Sequence, residues 1–283
     1  ASELSYKKQA MQDLFRQLTL PQQGISVISA PERLNYRNRL QLHYRHKYIG
    51  MVDGLSDQII EIPNCKIIRP ELQGTFSALY ADKAGTEEHA GGGHVELYWR
   101  DGEVSMQWDE PYAHGGFTQV YEAMNELLCE KVANWLGEQS FENVLDLFSG
   151  KGNLSNQVMA NGEHQRVMVD YSPEGDESHF INIDLFDEDA LRRFQGKTKL
   201  KQFEMFIIDP PRKGFPLLAQ WVKKYLPKKM AYVSCNAATL ARDLHSLEKS
   251  GLNYRLEEVL LMDLFPGTYH YETIVFVDFH KHK

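Results

Sequence analysis

The chain has 283 residues, 42% of them hydrophobic and 25% charged, and a formal net charge of −8. That is the composition of a folded globular protein, and the acidic balance excludes a generally basic nucleic-acid coat, so any such contact must come from a local patch. No apolar run reaches the ~18–20 residues that span a bilayer, and residues 1–11 lack the apolar core of a secretory signal. Cys65, Cys129 and Cys235 form neither a CxxC pair nor a disulfide framework, which points to a reducing cytoplasm. None of the 11 histidines falls in an HExxH or similar zinc-binding spacing.

Residues 7–20 read as a first helix, with Ala10, Met11, Leu14 and Leu18 at helical spacing and Pro21 as the stop. From Arg39 the pattern alternates: Leu40, Leu42 and Tyr44 share one face, and Arg39, Gln41, His43 and Arg45 share the other. A strand with a basic outer face and interleaved aromatics suits RNA, although a plain solvated sheet face has the same pattern. Residues 59–68 are strand-like. After Gly91-Gly92-Gly93, Val95, Leu97 and Trp99 alternate with polar residues, Asp101-Gly102 makes a turn, and Val104, Met106 and Trp108 return as a hairpin. The first part of the chain is therefore expected to be a small β-rich region, residues 1–115, with a boundary at 111–116.

Beyond Gly116 the period changes to that of a helix, with Met124, Leu127, Leu128, Val132, Trp135 and Leu136 on one face and Gly137 as its end. Strand-like stretches at 144–148, 167–170, 206–209 and 230–233 then alternate with helix-like stretches at 153–160, 217–226 and 237–247. Two final strands, 256–262 and 272–279, close the chain. The order implies an α/β domain over residues 116–283, a doubly wound, mostly parallel sheet covered on both faces.

Several strand ends carry chemistry. Val144-Leu145-Asp146-Leu147-Phe148-Ser149-Gly150-Lys151-Gly152-Asn153 is a strand, a glycine turn and a helix start, and the next strand ends in Asp170. A glycine turn followed by an acid at that place suits an adenosine-bearing cofactor at the sheet's switch point, although the turn alone is a weak signal. A further strand-like stretch ends in Asp184. Asp209-Pro210-Pro211-Arg212 makes a rigid exit from its strand. Ser234-Cys235-Asn236 places a cysteine at a strand's carboxyl end, with Asn236 as a helix N-cap beside it. The helix dipole there is expected to favour the thiolate, which is the nucleophilic form.

Together these segments resemble the S-adenosylmethionine-dependent RNA 5-methyluridine methyltransferases. The resemblance runs through 146–153, Asp209-Pro210-Pro211-Arg212, Ser234-Cys235-Asn236 with Thr239-Leu240-Ala241-Arg242-Asp243, and Phe265-Pro266-Gly267-Thr268-Tyr269-His270-Tyr271-Glu272. Gly116-Phe117-Thr118-Gln119 is similar to the segment before the family's catalytic domain. Tyr36-Arg37-Asn38-Arg39 and Cys65 resemble, more weakly, its RNA-binding insertion. The resemblance implies a Rossmann-like class I methyltransferase sheet with an N-terminal RNA-contacting region. It implies S-adenosyl-L-methionine held by Gln119, Phe148, Asn153, Asp170 and Asp209, Cys235 as nucleophile and Glu272 as general base. The implied substrate is a uridine in tRNA or rRNA, and the enzyme is expected to work as a monomer. Ala237 stands where the family usually has proline, and the 170–184 segment is too short for a full helix and returning strand. Neither the N-terminal barrel of many members nor the iron–sulfur cluster of some is expected, since Cys65 has no accompanying cysteines upstream. The rival reading is a non-catalytic RNA-binding protein that keeps the cofactor fold.

Overall fold

The computed structural model describes residues 2–46, 48–81, 92–110, 119–137, 141–159, 165–171 and 179–279. The boundary expected at 111–116, Gly91, the Gly116-Phe117-Thr118 segment and the turn-rich residues 172–176 lie outside them. In chain order the elements are α1 (Ser2–Leu14), β1 (Ile25–Ile28), β2 (Arg39–Arg45), β3 (Tyr48–Val52), β4 (Ile59–Ile60), α2 (Pro70–Ala81), β5 (Gly93–Arg100), β6 (Glu103–Trp108) and α3 (Glu122–Gly137). Then follow β7 (Asn143–Leu147), α4 (Ser155–Met159), β8 (Gln165–Asp170), β9 (Phe180–Asn182), α5 (Ala190–Lys197), β10 (Met205–Ile208), α6 (Leu218–Tyr225), β11 (Lys229–Ser234), α7 (Ala237–Lys249), β12 (Tyr254–Met262) and β13 (Glu272–Phe279). No described helix is long and apolar enough to cross a membrane.

The chain divides into two compact units, residues 1–30 with 124–283, and residues 31–123. This differs from the expected division at 115/116, in which the first helix belonged to the β-rich region. The reason is apolar: Met11, Phe15 and Leu18 from α1 and its following turn, and Ile25 of β1, are buried in the core of the larger unit. Strand β1 also pairs in parallel with β12, Ile25 opposite Val259 through Ile28 opposite Met262.

The larger unit is built on an eight-stranded sheet in the order β1-β12-β13-β11-β10-β7-β8-β9. Only β13 runs against its neighbours. Buried Leu145, Leu147, Phe206, Ile208, Met230 and Tyr232 from the central strands form the core with Leu218, Trp221, Leu240, Leu244 and Leu247 from the helices. Such continuous apolar strands are the mark of a sheet covered on both faces. The doubly wound α/β expectation thus holds.

The smaller unit is a five-stranded antiparallel sheet, β4-β3-β2-β5-β6, with α2 packed against it through Leu72, Phe76 and Leu79. The hairpin turn at Asp101 and Gly102, both at positive φ, joins β5 to β6 in the predicted register. Helix α2 was not anticipated. Its signal is Pro70 at the first helical position with Leu72, Phe76 and Leu79 at helical spacing. The strand expected over 59–68 shrinks to Ile59–Ile60, because Pro63 and Asn64 interrupt the run.

The face read as basic needs a correction. Leu40, Leu42 and Tyr44 are buried as expected, but Arg39, placed on the outer face, is only 2% exposed. Its guanidinium pairs with buried Glu96 at 3.4 Å and lies 5.1 Å from the Tyr98 ring centroid. Glu96 on β5 is two residues along from Tyr98, Arg39's own cross-strand partner. Arg37 is half-buried, with its Nε donating to the Arg39 carbonyl, and Arg45 is exposed.

Candidate active site

Chain order in the large sheet reverses between β7 and β10: β8 and β9 lie on one side of β7, β10 and β11 on the other. Ligands of open α/β sheets bind at the carboxyl ends of the strands beside such a switch point. At that edge the chain carries the Phe148–Gly152 turn after β7, Asp170 at the end of β8, Asp209 after β10 and Cys235 after β11. Because β13 is reversed, its first residue, Glu272, comes to the same edge.

The β11–β13 ladder ends with Ser234 opposite Thr273. The next step of that register sets Cys235 opposite Glu272. Glu272 is 2% exposed, and burial, reinforced by Asp209, pushes its carboxyl well above the usual range. The Cys235 thiol is likewise pushed up to about 11, first by burial, then by Glu272 and Asp209, against the favourable pull of Arg212. Burial and the two carboxyl groups therefore work against the thiolate that the helix dipole is expected to favour. A dipole contributes only about 0.3–1 kcal/mol, and here two carboxylates and loss of solvent outweigh it.

The turn bearing Cys235 is tightly anchored. Asn236 caps α7 by accepting from the Ala238 amide at 3.2 Å, and its amide nitrogen donates to Ser234 Oγ at 3.1 Å. The Asn236 Nδ2 and Thr239 Oγ1 groups both donate to the Arg212 carbonyl, at 2.9 and 3.2 Å. Buried Asp243 accepts from the Phe215 amide at 2.6 Å and the Tyr232 hydroxyl at 2.7 Å, while Arg242 bonds both Asp243 and the Lys213 carbonyl. Gly214 turns at φ +71°, where a Cβ would sit 2.5 Å from Asp243 Oδ2. The two sequence motifs at 209–212 and 234–243 are thus one mechanical piece.

The glycine turn is held from two sides. Asp170 accepts from the Gly150 amide at 2.7 Å and the Tyr171 amide at 2.6 Å. Buried Asp146 accepts from Ser155 Oγ at 2.5 Å, and Arg166 donates to the same hydroxyl at 2.7 Å. Burial pushes Asp146 up to about 7 despite those partners. Asp209 is pushed up to about 7 as well, by burial and then by Asp146 and Asp170. Asp146 and Asp209, two neighbouring carboxyl groups that resist ionisation, are a fit for a ligand carrying positive charge.

Phe148 stands at φ 60°, its ring 5.3 Å from Phe186 and 5.1 Å from Phe215. Asn153 exchanges two hydrogen bonds with Asn125 of α3, at 2.9 and 3.0 Å. Asp184 accepts from the Phe186 amide at 2.9 Å. Phe148, Asn153, Asp170, Asp209, Cys235 and Glu272 all belong to the larger unit. Gln119 belongs to the smaller one, where its carbonyl accepts from Asn38 at 3.3 Å.

Sequence reasoning missed Asn125, Phe186 and the support of the 265–271 loop that precedes Glu272. Lys7 of α1 is buried and donates to Asp263 at 2.6 Å and to the Phe265 carbonyl at 3.2 Å, while Glu3 pairs with Lys7 and accepts from the Gly267 amide. Only Asn125 had a local signal, a polar residue next to the apolar face of α3.

The sequence model of the tRNA (uracil-5-)-methyltransferase family matches residues 183–280. The chain is 27% identical to the 23S rRNA (uracil(1939)-C(5))-methyltransferase RlmD of Shewanella frigidimarina, over 97% of this chain and 77% of the relative. It is 28% identical to the enzyme of the same name from a Marinomonas species, over 96% and 75%. The crystal structure of Pyrococcus abyssi tRNA (uracil-54, C5)-methyltransferase, in complex with S-adenosyl-L-homocysteine, shares the fold with a TM-score of 0.70 at 18% identity, over 97% of this chain and 82% of that one.

Proposed function

We propose that the chain is a member of the S-adenosylmethionine-dependent RNA 5-methyluridine methyltransferases, and that it methylates carbon 5 of a uridine in structured RNA through a covalent bond to Cys235. The observation that supports this most is the register that sets Cys235 and Glu272 opposite each other at the ligand edge, beside Asp209.

When bound, S-adenosylmethionine supplies an electrophilic methyl group and a positive sulfonium charge. Asp209 and Asp170 are assigned to hold it, with Phe148 and Asn153 on the glycine-turn side; Gln119 rests on the sequence resemblance alone. Carbon 5 of uracil is a weak nucleophile. The Cys235 thiol releases its proton to solvent as its sulfur bonds to carbon 6, which leaves an electron pair available at carbon 5. Carbon 5 takes the methyl group. The Glu272 carboxylate then accepts the carbon-5 proton, the C–H electrons restore the double bond, and the sulfur–carbon bond breaks to return the thiolate. Glu272 passes the carbon-5 proton on to the Cys235 thiolate, so the one proton released per methyl group transferred is the one Cys235 lost on adding to carbon 6. A carboxylate raised by burial is a stronger base once ionised, and positive charge nearby favours that ionised form. Carbon 5 is reached with the uridine unpaired or flipped from its stack.

The test is methylation of unmodified 23S rRNA and unmodified tRNA transcripts with isotope-labelled cofactor, followed by nucleoside analysis. The expected product is 5-methyluridine in one of them. Label in another nucleoside, or none in either RNA, defeats the reading.

A further inference from the structure

An open depression of about 570 Å³ lies between α1 and the 265–271 loop, lined by Glu3, Tyr6, Lys7, Gly267, Thr268 and Tyr269. Two tyrosines at its rim are unusually open, Tyr6 74% and Tyr269 77% exposed. Their backbone is nonetheless fixed. Glu3 joins Lys7 to the Gly267 amide, Thr268 Oγ1 donates to the Phe265 carbonyl at 2.8 Å, and the His270 amide donates back to Thr268 Oγ1 at 3.1 Å. The Tyr269 ring lies 4.0 Å from that of His270, centroid to centroid.

The chemistry of the lining selects its ligand. Lys7 is already committed to Asp263 and Glu3, so the depression presents no spare cation for a phosphate. What it presents is aromatic surface on a rigid frame, the device that takes a flat, uncharged ring. Its position is equally informative. Tyr269 precedes Glu272 by three residues, so their Cα atoms are at most about 11 Å apart, a span of roughly three stacked nucleotides at ~3.4 Å each.

Resting on the RNA reading above, we propose that Tyr6 and Tyr269 form a stacking site for an unpaired nucleobase within about three nucleotides of the target uridine. Stacking of this kind tolerates any base, because every base has a π face. The site secures the strand beside the reacting base rather than taking part in the chemistry.

The experiment uses the full chain and whichever of the unmodified 23S rRNA and tRNA transcripts the wild type methylates. Loss of one stacked base, ~1–3 kcal/mol, corresponds to about a 5–150-fold rise in KM for RNA. Tyr6→Ala and Tyr269→Ala should each show it, with kcat changing far less. Tyr6→Phe and Tyr269→Phe should keep the wild-type KM, since the ring face remains. Calorimetric affinity for S-adenosylhomocysteine should be the same in all four variants, which a damaged fold would not allow. Unchanged KM in both alanine variants of an active enzyme overturns the stacking site alone. If the wild type methylates neither transcript, the activity and the stacking site fail together.

Discussion

Lys7 and Asp263 are 256 residues apart in sequence, yet their side chains meet at 2.6 Å in the interior of the larger unit. The pair fastens the first helix to the loop that ends in Glu272. Lys7 also reaches the Phe265 carbonyl, and Glu3 the Gly267 amide. A helix remote from the reacting atoms therefore sets where the proposed base stands.

Lys7→Met removes the ammonium group from a buried carboxylate, a change that costs about 3–5 kcal/mol when one partner of a buried pair is lost. Urea denaturation should show that loss, and Lys7→Met with Asp263→Leu should recover most of it. Methylation should fall in the single variant through kcat, because the Glu272 loop loses its anchor. Equal stability of the single variant and wild type would remove the anchoring role.

Cys235→Ala should abolish methylation and any covalent RNA adduct, because nothing remains to activate carbon 5. Glu272→Gln should instead accumulate a methylated covalent complex that survives denaturing electrophoresis, since addition and transfer proceed but the carbon-5 proton has no acceptor. RNA containing 5-fluorouridine should trap the wild type in the same way. Turnover by Cys235→Ala, or normal turnover by Glu272→Gln, contradicts the covalent mechanism.

The raised thiol gives a pH signature. Alkylation by iodoacetamide needs the thiolate, so the Cys235 rate in the ligand-free enzyme should climb about tenfold per pH unit from neutrality towards about 11. Glu272→Gln removes one of the charges that hold the proton on sulfur, so its curve should shift to lower pH. Mass spectrometry of the 235 peptide reads both. A plateau below pH 8 in the wild type would mean that the dipole of α7 prevails after all.

Burial, with Asp146 and Asp170 beside it, pushes the Asp209 carboxyl up to about 7. Only the ionised form attracts a cation, so affinity for S-adenosylmethionine should rise as pH passes upward through 7, with protons released on binding. S-adenosylhomocysteine lacks the sulfonium charge and should respond less, and Asp209→Asn should flatten the difference. Asp170→Ala should weaken both ligands. Calorimetry at several pH values checks each arm, and parallel pH curves for the two ligands would remove Asp209 from the sulfonium's surroundings.

In the small unit Arg39 and Arg45 should part company. Arg39→Ala strips the partner from buried Glu96 and should destabilise the unit by about 3–5 kcal/mol. Arg45→Ala, at an exposed position, should leave stability within about 0.5 kcal/mol while lowering RNA affinity and reducing its salt slope by about 0.7–0.9. An unaltered slope returns this strand to a solvated face.

By itself the sequence determined the local chemistry and the order of elements. The alternation from β7 to β13 and the hairpin at Asp101-Gly102 follow from periods of 3.6 and two, which are properties of neighbouring residues. So do the strand ends bearing Asp170, Asp209 and Cys235. Three other things depended on pairings between distant residues, and no local period records those. Strand β1 joins β12, and Lys7 meets Asp263, across more than two hundred residues. Arg39 sits on the face its alternation marks as outward, but Glu96 on the neighbouring strand draws it into the interior. The ionisation of Cys235 was also decided in three dimensions: the sequence shows a cysteine before a helix, and only the packed sheet edge brings Glu272 and Asp209 close enough to hold its proton in place.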